Sequence, residues 1–158
     1  MRGRLIYVCA ILLGLASLYF TAYVQWSGPT PGWAASAFSF VGFLVFWHWL
    51  AEGAQAFPGP HDPDLGRLEL MACAAGFLAN VLLIAGLVLA PCGAQRLART
   101  FGRIALASGL ASIVLLKLSL KMFELRLGGC LWLAAIAVLA FSRLDPPSTP
   151  DQLDPARR

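Results

Sequence analysis

The chain has 158 residues, 59% hydrophobic and only 13% charged, with a mean hydropathy of +0.72. A water-soluble domain carries about a quarter charged residues, so this composition argues against one and leaves lipid as the expected solvent for most of the chain. The net charge of +4 does not point to nucleic acid, because the basic residues flank apolar spans and form no separate basic domain.

Met1 to Arg4 is a short basic start, and Leu5 to Val24 then runs twenty residues without a charge. As a helix that stretch reaches ~30 Å, the thickness of a hydrocarbon core. A secretory signal has a shorter apolar region and small residues at its cut site. Thr21, Ala22 and Tyr23 make a poor one, so an uncleaved membrane helix over 5–24 is expected. Ala10, Gly14, Ser17 and Thr21 share one face of it, which suits close helix packing. Gln25 to Gly32 reads as a tight uncharged turn. Pro29 and Pro31 bar the helix from continuing, and Trp26 and Trp33 bracket the turn as interfacial residues do.

The second helix is expected over 33–57, stopped by Pro58. Trp47 and Trp49 mark the opposite interface, and His48, Glu52 and Gln55 share a face at i, i+4, i+7. Pro58 to Arg67, with three prolines, reads as a loop. The third helix is expected over 68–90, with Glu69, Cys73, Gly76 and Asn80 on one face. Asn80 is the only asparagine in the chain and falls near mid-span. Lipid offers its amide no partner, so a hydrogen bond to another helix or to backbone is required there. Pro91, Cys92 and Gly93 end this helix.

Gln95 to Arg103 is amphipathic, with Arg96, Arg99 and Arg103 on one side. The apolar span from Ile104 to Leu120 is interrupted only by Lys117, which can snorkel to the interface. A fourth helix over 96–124 would carry Lys117, Lys121 and Glu124 as one charged stripe. Leu127 to Phe141 reaches ~22 Å as a helix, short for a full crossing. It reads as a fifth helix over 127–142, or as a partly inserted one, with a turn or kink at Gly128 and Gly129. The bundle then occupies 1–144, and the Pro-rich remainder, 145–158, is expected to be disordered.

For five alternating crossings, the basic residues divide almost evenly. Arg2, Arg4, Arg67, Lys117, Lys121 and Arg126 fall on one side, and Arg96, Arg99, Arg103 and Arg143 near the membrane on the other, together with the distant Arg157 and Arg158. The first helix usually sets the orientation, which places Met1 inside. The four cysteines, Cys9, Cys73, Cys92 and Cys130, are widely spaced and form no CxxC pair, so they read as small buried hydrophobes.

One helix-end layer collects most of the polar groups: His48, Glu52, His61, Asp62, Asp64, Glu69, Lys117, Lys121, Glu124 and Arg126. Charges beside hydrocarbon are stable mainly when paired or hydrated. The plainest reading is a set of interfacial salt bridges, with Glu52 or Glu69 meeting Lys117, Lys121 or Arg126. Glu69 is the expected partner because it shares a face with Asn80. A metal site from His48 and Glu52, with His61 and Glu69, has suitable ligand types but no HExxH or paired-His spacing. Haem on the two histidines fails because His61 lies in a Pro-rich loop. Proton- or ion-coupled transport through Glu52, Glu69 and Asn80 is the other sharp reading. Nucleophilic catalysis has no support: there is no GxSxG elbow and no phosphate-binding Gly-rich loop, and Ser108 and Ser112 read as packing residues.

The sequence therefore predicts an all-α integral membrane protein, a bundle of five transmembrane helices or four plus a short one. It predicts an accessory or structural membrane component with no catalysis and no cofactor. The alternatives are a small oligomeric transporter or channel, and a membrane metal-binding protein through His48 and Glu52. The expected surroundings are the lipid bilayer and a second copy or a membrane protein partner. Ten Arg against two Lys fits a GC-rich bacterial genome and so an inner-membrane location.

Overall fold

In the computed structural model, residues 2–25, 28–52, 63–120 and 123–141 are described. Among them are five helices and three short strands. In chain order these are α1 (Arg2–Tyr19), β1 (Thr21–Gln25), β2 (Gly28–Pro31), α2 (Gly32–Glu52), α3 (Pro63–Leu89), α4 (Gln95–Ser119), β3 (Glu124–Leu125) and α5 (Leu127–Phe141). The mainly helical architecture follows from long apolar runs bounded by Pro and Gly. α3 begins at Pro63, five residues before the expected start, because proline suits the first turn of a helix, where its missing N–H costs nothing. Gly93, at φ 85°, takes the left-handed position just past α3, and the Ala94 N–H closes on the Leu89 carbonyl at 3.2 Å.

The strands are the departure from the sequence reading. The uncharged run 5–24 is not one helix: it is helical to Tyr19, and Thr21–Gln25 is the middle strand of a sheet ordered β2-β1-β3, antiparallel throughout. Thr21, Tyr23 and Val24 are strand formers, and a short apolar run can be either helix or strand by pattern alone. What decides is pairing on both sides. Pro29 and Pro31 lie in β2 at the sheet edge, where a residue with no N–H to donate is tolerated. The fourth helix likewise stops at Ser119, so Glu124 belongs to β3 and shares no helical stripe with Lys117; Lys121 lies outside the described residues.

Interhelical pairs fix the chain directions. Ser112 and Ser108 of α4 reach the carbonyls of Ala72 and Ala75, so α3 and α4 are antiparallel. Gly102 faces Ala140 and Gly109 faces Trp132, so α5 runs opposite to α4. Tyr7, near the start of α1, donates to the carbonyl of Leu87, near the end of α3. Ser17, near the end of α1, faces the middle of α3 across a cavity. Gly42 packs on Cys73, and Ser39 sits beside Gly76 one turn on, so α2 also opposes α3. α1 and α2 thus run in the same sense, joined by the strand pair, and do not form the alternating hairpin that a tight turn would give. The start of α1 and the end of α5 both lie at the α3–α4 turn.

The packing places small residues inside and large ones outside. Ala72, Ala79, Ala98, Ala105, Ala135 and Ala140 are wholly buried, and Ile136 is the largest side chain wholly buried among the described residues. Ala79, Leu83, Ala105, Ile136 and Leu139 form the core where α3, α4 and α5 meet. A Cβ at Gly102 would come within 2.8 Å of the Ala140 backbone nitrogen, so the close α4–α5 approach depends on that glycine. Phe77 of α3 stacks on Phe43 of α2 at 4.6 Å and tilts against Phe40 at 5.4 Å.

Candidate functional site: an uncharged cavity inside the bundle

A cavity of about 90 Å³ lies where α1 ends, α2 begins and α3, α4 and α5 pass. Its formation follows from the break between α1 and α2. The chain leaves helix at Tyr19 and re-enters at Gly32 alongside the middle turns of α3, and Gly32 touches α1 so closely that a side chain there would collide with the Ser17 carbonyl. The Gly32 N–H donates to the Phe20 carbonyl at 3.0 Å, and the Arg126 N–H donates to the Ala22 carbonyl at 2.9 Å. These bonds tie α2 and α5 to the strands and leave a gap behind them.

The lining mixes hydroxyl, thiol, amide and aromatic groups, and none of its residues carries a charge. Three of its serines spend their protons on backbone: Ser17 on Gly14 at 2.6 Å, Ser39 on Ala35 at 2.9 Å and Ser112 on Ala72 at 2.7 Å. Gly76 lies between the last two, and its missing side chain keeps this wall open. Trp132 Nε1 donates to Asn80 Oδ1 at 2.8 Å, bridging α5 and α3. This is the interhelical bond the mid-span asparagine requires. An indole N–H can only donate, so it selects the amide oxygen and turns the Asn80 NH2 group the other way. That nitrogen makes no hydrogen bond to another described residue, and Asn80 lines the cavity.

No family model, curated protein or solved structure matches this chain. The chemistry of the cavity therefore rests on its own residues.

The charged layer is arranged differently from the sequence expectation. Among the described residues the ion pair is Glu124 with Arg126, both exposed, two residues apart at β3; an exposed pair of this kind contributes little. Glu69 and Lys117 are also exposed, and among the described residues neither forms a salt bridge. The expected Glu69 pairing is thus not formed with Lys117 or Arg126: Cys73, Gly76 and Asn80 turn into the bundle, while Glu69 points outward beyond the cavity wall. His48 is exposed on α2. The Glu52 side chain, His61 and Asp62 lie outside the described residues, as do the Asp64 side chain and Lys121. Among the described residues no three His, Cys, Asp or Glu side chains gather as a metal site would need.

Sequence reasoning found Asn80 but missed the cavity. Serine at positions 17 and 112 was a usable signal, read only as close packing, and Ser36 and Ser39 were passed over. Nothing in the linear order of these residues indicates that α1 stops short and brings Ser17 and Tyr23 to the same place.

Proposed function

We propose that the protein is an integral membrane protein that acts in the bilayer without catalysis, as an accessory component packed against a second copy or a larger assembly. One observation carries this reading: apart from Leu83, Ile136 and Leu139 the buried residues are mostly alanine, glycine and serine, while most of the large apolar side chains face outward. Leu15 is 60% exposed, Trp47 61%, Ile84 61% and Leu118 66%. Two helices, over Arg67–Leu89 and Gln95–Ser119, are long and apolar enough to cross a membrane, and only 28% and 22% of their apolar windows are buried. The core helix of a water-soluble protein would be mostly covered. Lipid provides no force driving large apolar side chains inward, so small residues take the helix contacts and large ones meet the acyl chains.

The chain directions support four passes. α1 and α2 together make one broken crossing, and α3, α4 and α5 make the others. Counted by the helix end each adjoins in sequence, Arg2, Arg4, Arg96, Arg99, Arg103 and Arg143 fall at the end holding both termini, against Arg67, Lys117, Lys121 and Arg126 at the other. The margin near the membrane is six against four, the same as for five passes, and by the positive-inside rule it favours both termini in the cytoplasm. Washing isolated membranes with alkaline carbonate tests the membrane reading. The protein should stay in the pellet, and its release into the supernatant would refute it.

A small transporter is the second reading, favoured by the break in helix beside the cavity. Non-helical backbone at membrane depth is tolerated where it is buried or lines a cavity, and transporters build substrate sites from such broken helices. A variant with Cys9, Cys92 and Cys130 replaced by serine leaves Cys73 to report on access. Labelling by a membrane-impermeant thiol reagent from both faces would support transport; protection from both would exclude alternating access at this cavity.

A further inference from the structure

The cavity also specifies what it would hold. Its lining is uncharged, so a carboxylate, phosphate or ammonium would enter without a counter-ion. Ser17, Ser39 and Ser112 already donate to backbone carbonyls, whereas Asn80, which lines the cavity, has its oxygen taken by Trp132 and its NH2 donors uncommitted to any described residue. A group that accepts a hydrogen bond completes that amide. The volume of about 90 Å³ is smaller than the roughly 150 Å³ that takes a benzene ring, so it admits a small head and not a ring system. Phe38 both lines the cavity and is 57% exposed, so the space reaches the outer surface of the bundle there. A chain attached to the head would leave past Phe38 onto the apolar exterior of α2.

We propose that the cavity binds the acyl carbonyl of an uncharged lipophile, a fatty ester, ketone or amide. The oxygen accepts from Asn80 Nδ2 and the alkyl chain exits beside Phe38. The proposal rests on the membrane reading above. A protein that stays in carbonate-washed membranes and fails the following test loses this site alone.

The test uses the full chain, purified in an alkyl maltoside so that the detergent offers no competing carbonyl, with methyl decanoate carrying a 13C-labelled carbonyl as the probe. A saturable carbonyl band displaced to lower frequency is expected by infrared spectroscopy, as a hydrogen-bonded ester shows. Decanoate and decane should not compete for it, the first for its charge and the second for want of an acceptor. Asn80→Leu should weaken binding about tenfold, the worth of one hydrogen bond. Ser36→Leu, which fills the cavity while leaving the Asn80–Trp132 bond in place, should remove the band from a protein that still folds. A diacyl phospholipid that displaces the ester would name a bilayer lipid as the source of the carbonyl; failure to displace it would point to a free lipophile. No saturable band in the wild-type chain, a band that persists undiminished in Ser36→Leu, or equal competition by decane would overturn the proposal.

Discussion

The indole of Trp132 donates to the amide oxygen of Asn80 at 2.8 Å across the contact between α5 and α3. Both side chains are part-buried, and removing either leaves the other without this partner. Asn80→Leu and Trp132→Phe should each lower stability in detergent by ~0.5–2 kcal/mol. The double variant should lose less than the sum of the two, because the second change removes a group already left alone. Thermal unfolding of the four proteins measures this coupling. Strict additivity would mean that the bond contributes nothing.

Ser108 and Ser112 bind α4 to α3 by donating to the carbonyls of Ala75 and Ala72. Bonds of this kind between membrane helices average about 0.6 kcal/mol. Each Ser→Ala change should therefore cost about that much, well under the cost of an overpacked contact. Denaturant titration of the two single variants checks it, and a loss above ~2 kcal/mol for either would show a role beyond the bond.

Gly102 faces the backbone of Ala140, with 2.8 Å between a built Cβ and the Ala140 nitrogen. A backbone cannot swing aside as a flexible side chain can. Gly102→Val should destabilise the protein by ~1–3 kcal/mol, and Gly102→Ala by less. Gly14, whose Cβ would meet nothing within 4 Å, is the control: Gly14→Ala should be neutral or slightly stabilising. Melting temperatures of the three variants give the order, and an equal loss at both glycines would contradict the packing described.

The start of α1 and the end of α5 lie together at the α3–α4 turn. Reporters active only in the cytoplasm, fused to each end of the chain, should therefore both give signal. Signal from one end alone would restore an odd number of crossings and rule out α1 and α2 as halves of one pass.

Much of this was legible in the chain itself. Proline and glycine at 91 and 93 bound the third apolar run, and the isolated Asn80 declared its need for a partner; the expected stop of the second helix at Pro58 lies outside the described residues. The direction of α2 was not legible. Thr21 to Gln25 satisfies the pattern of a helix end as well as that of a strand, and only its pairing with β3 settles the matter. The charged layer misled for a related reason. Helical phase put Glu69 on the face of Asn80, but the bundle wraps that face only as far as Cys73, and Glu69 is left beyond the rim.

The middle strand, β1, has consequences for how the chain is made. Its Tyr23 and Val24 pair with Leu125 and Glu124, which leave the ribosome roughly a hundred residues later. Until then one side of β1 has open backbone groups, which in the bilayer proposed above lipid would not satisfy. β1 thus lacks its second neighbour until β3 and α5 have been made. Contacts so distant along the chain form slowly. The sheet, the cavity wall and the Asn80 bond are thus completed together, once β3 and α5 are in place.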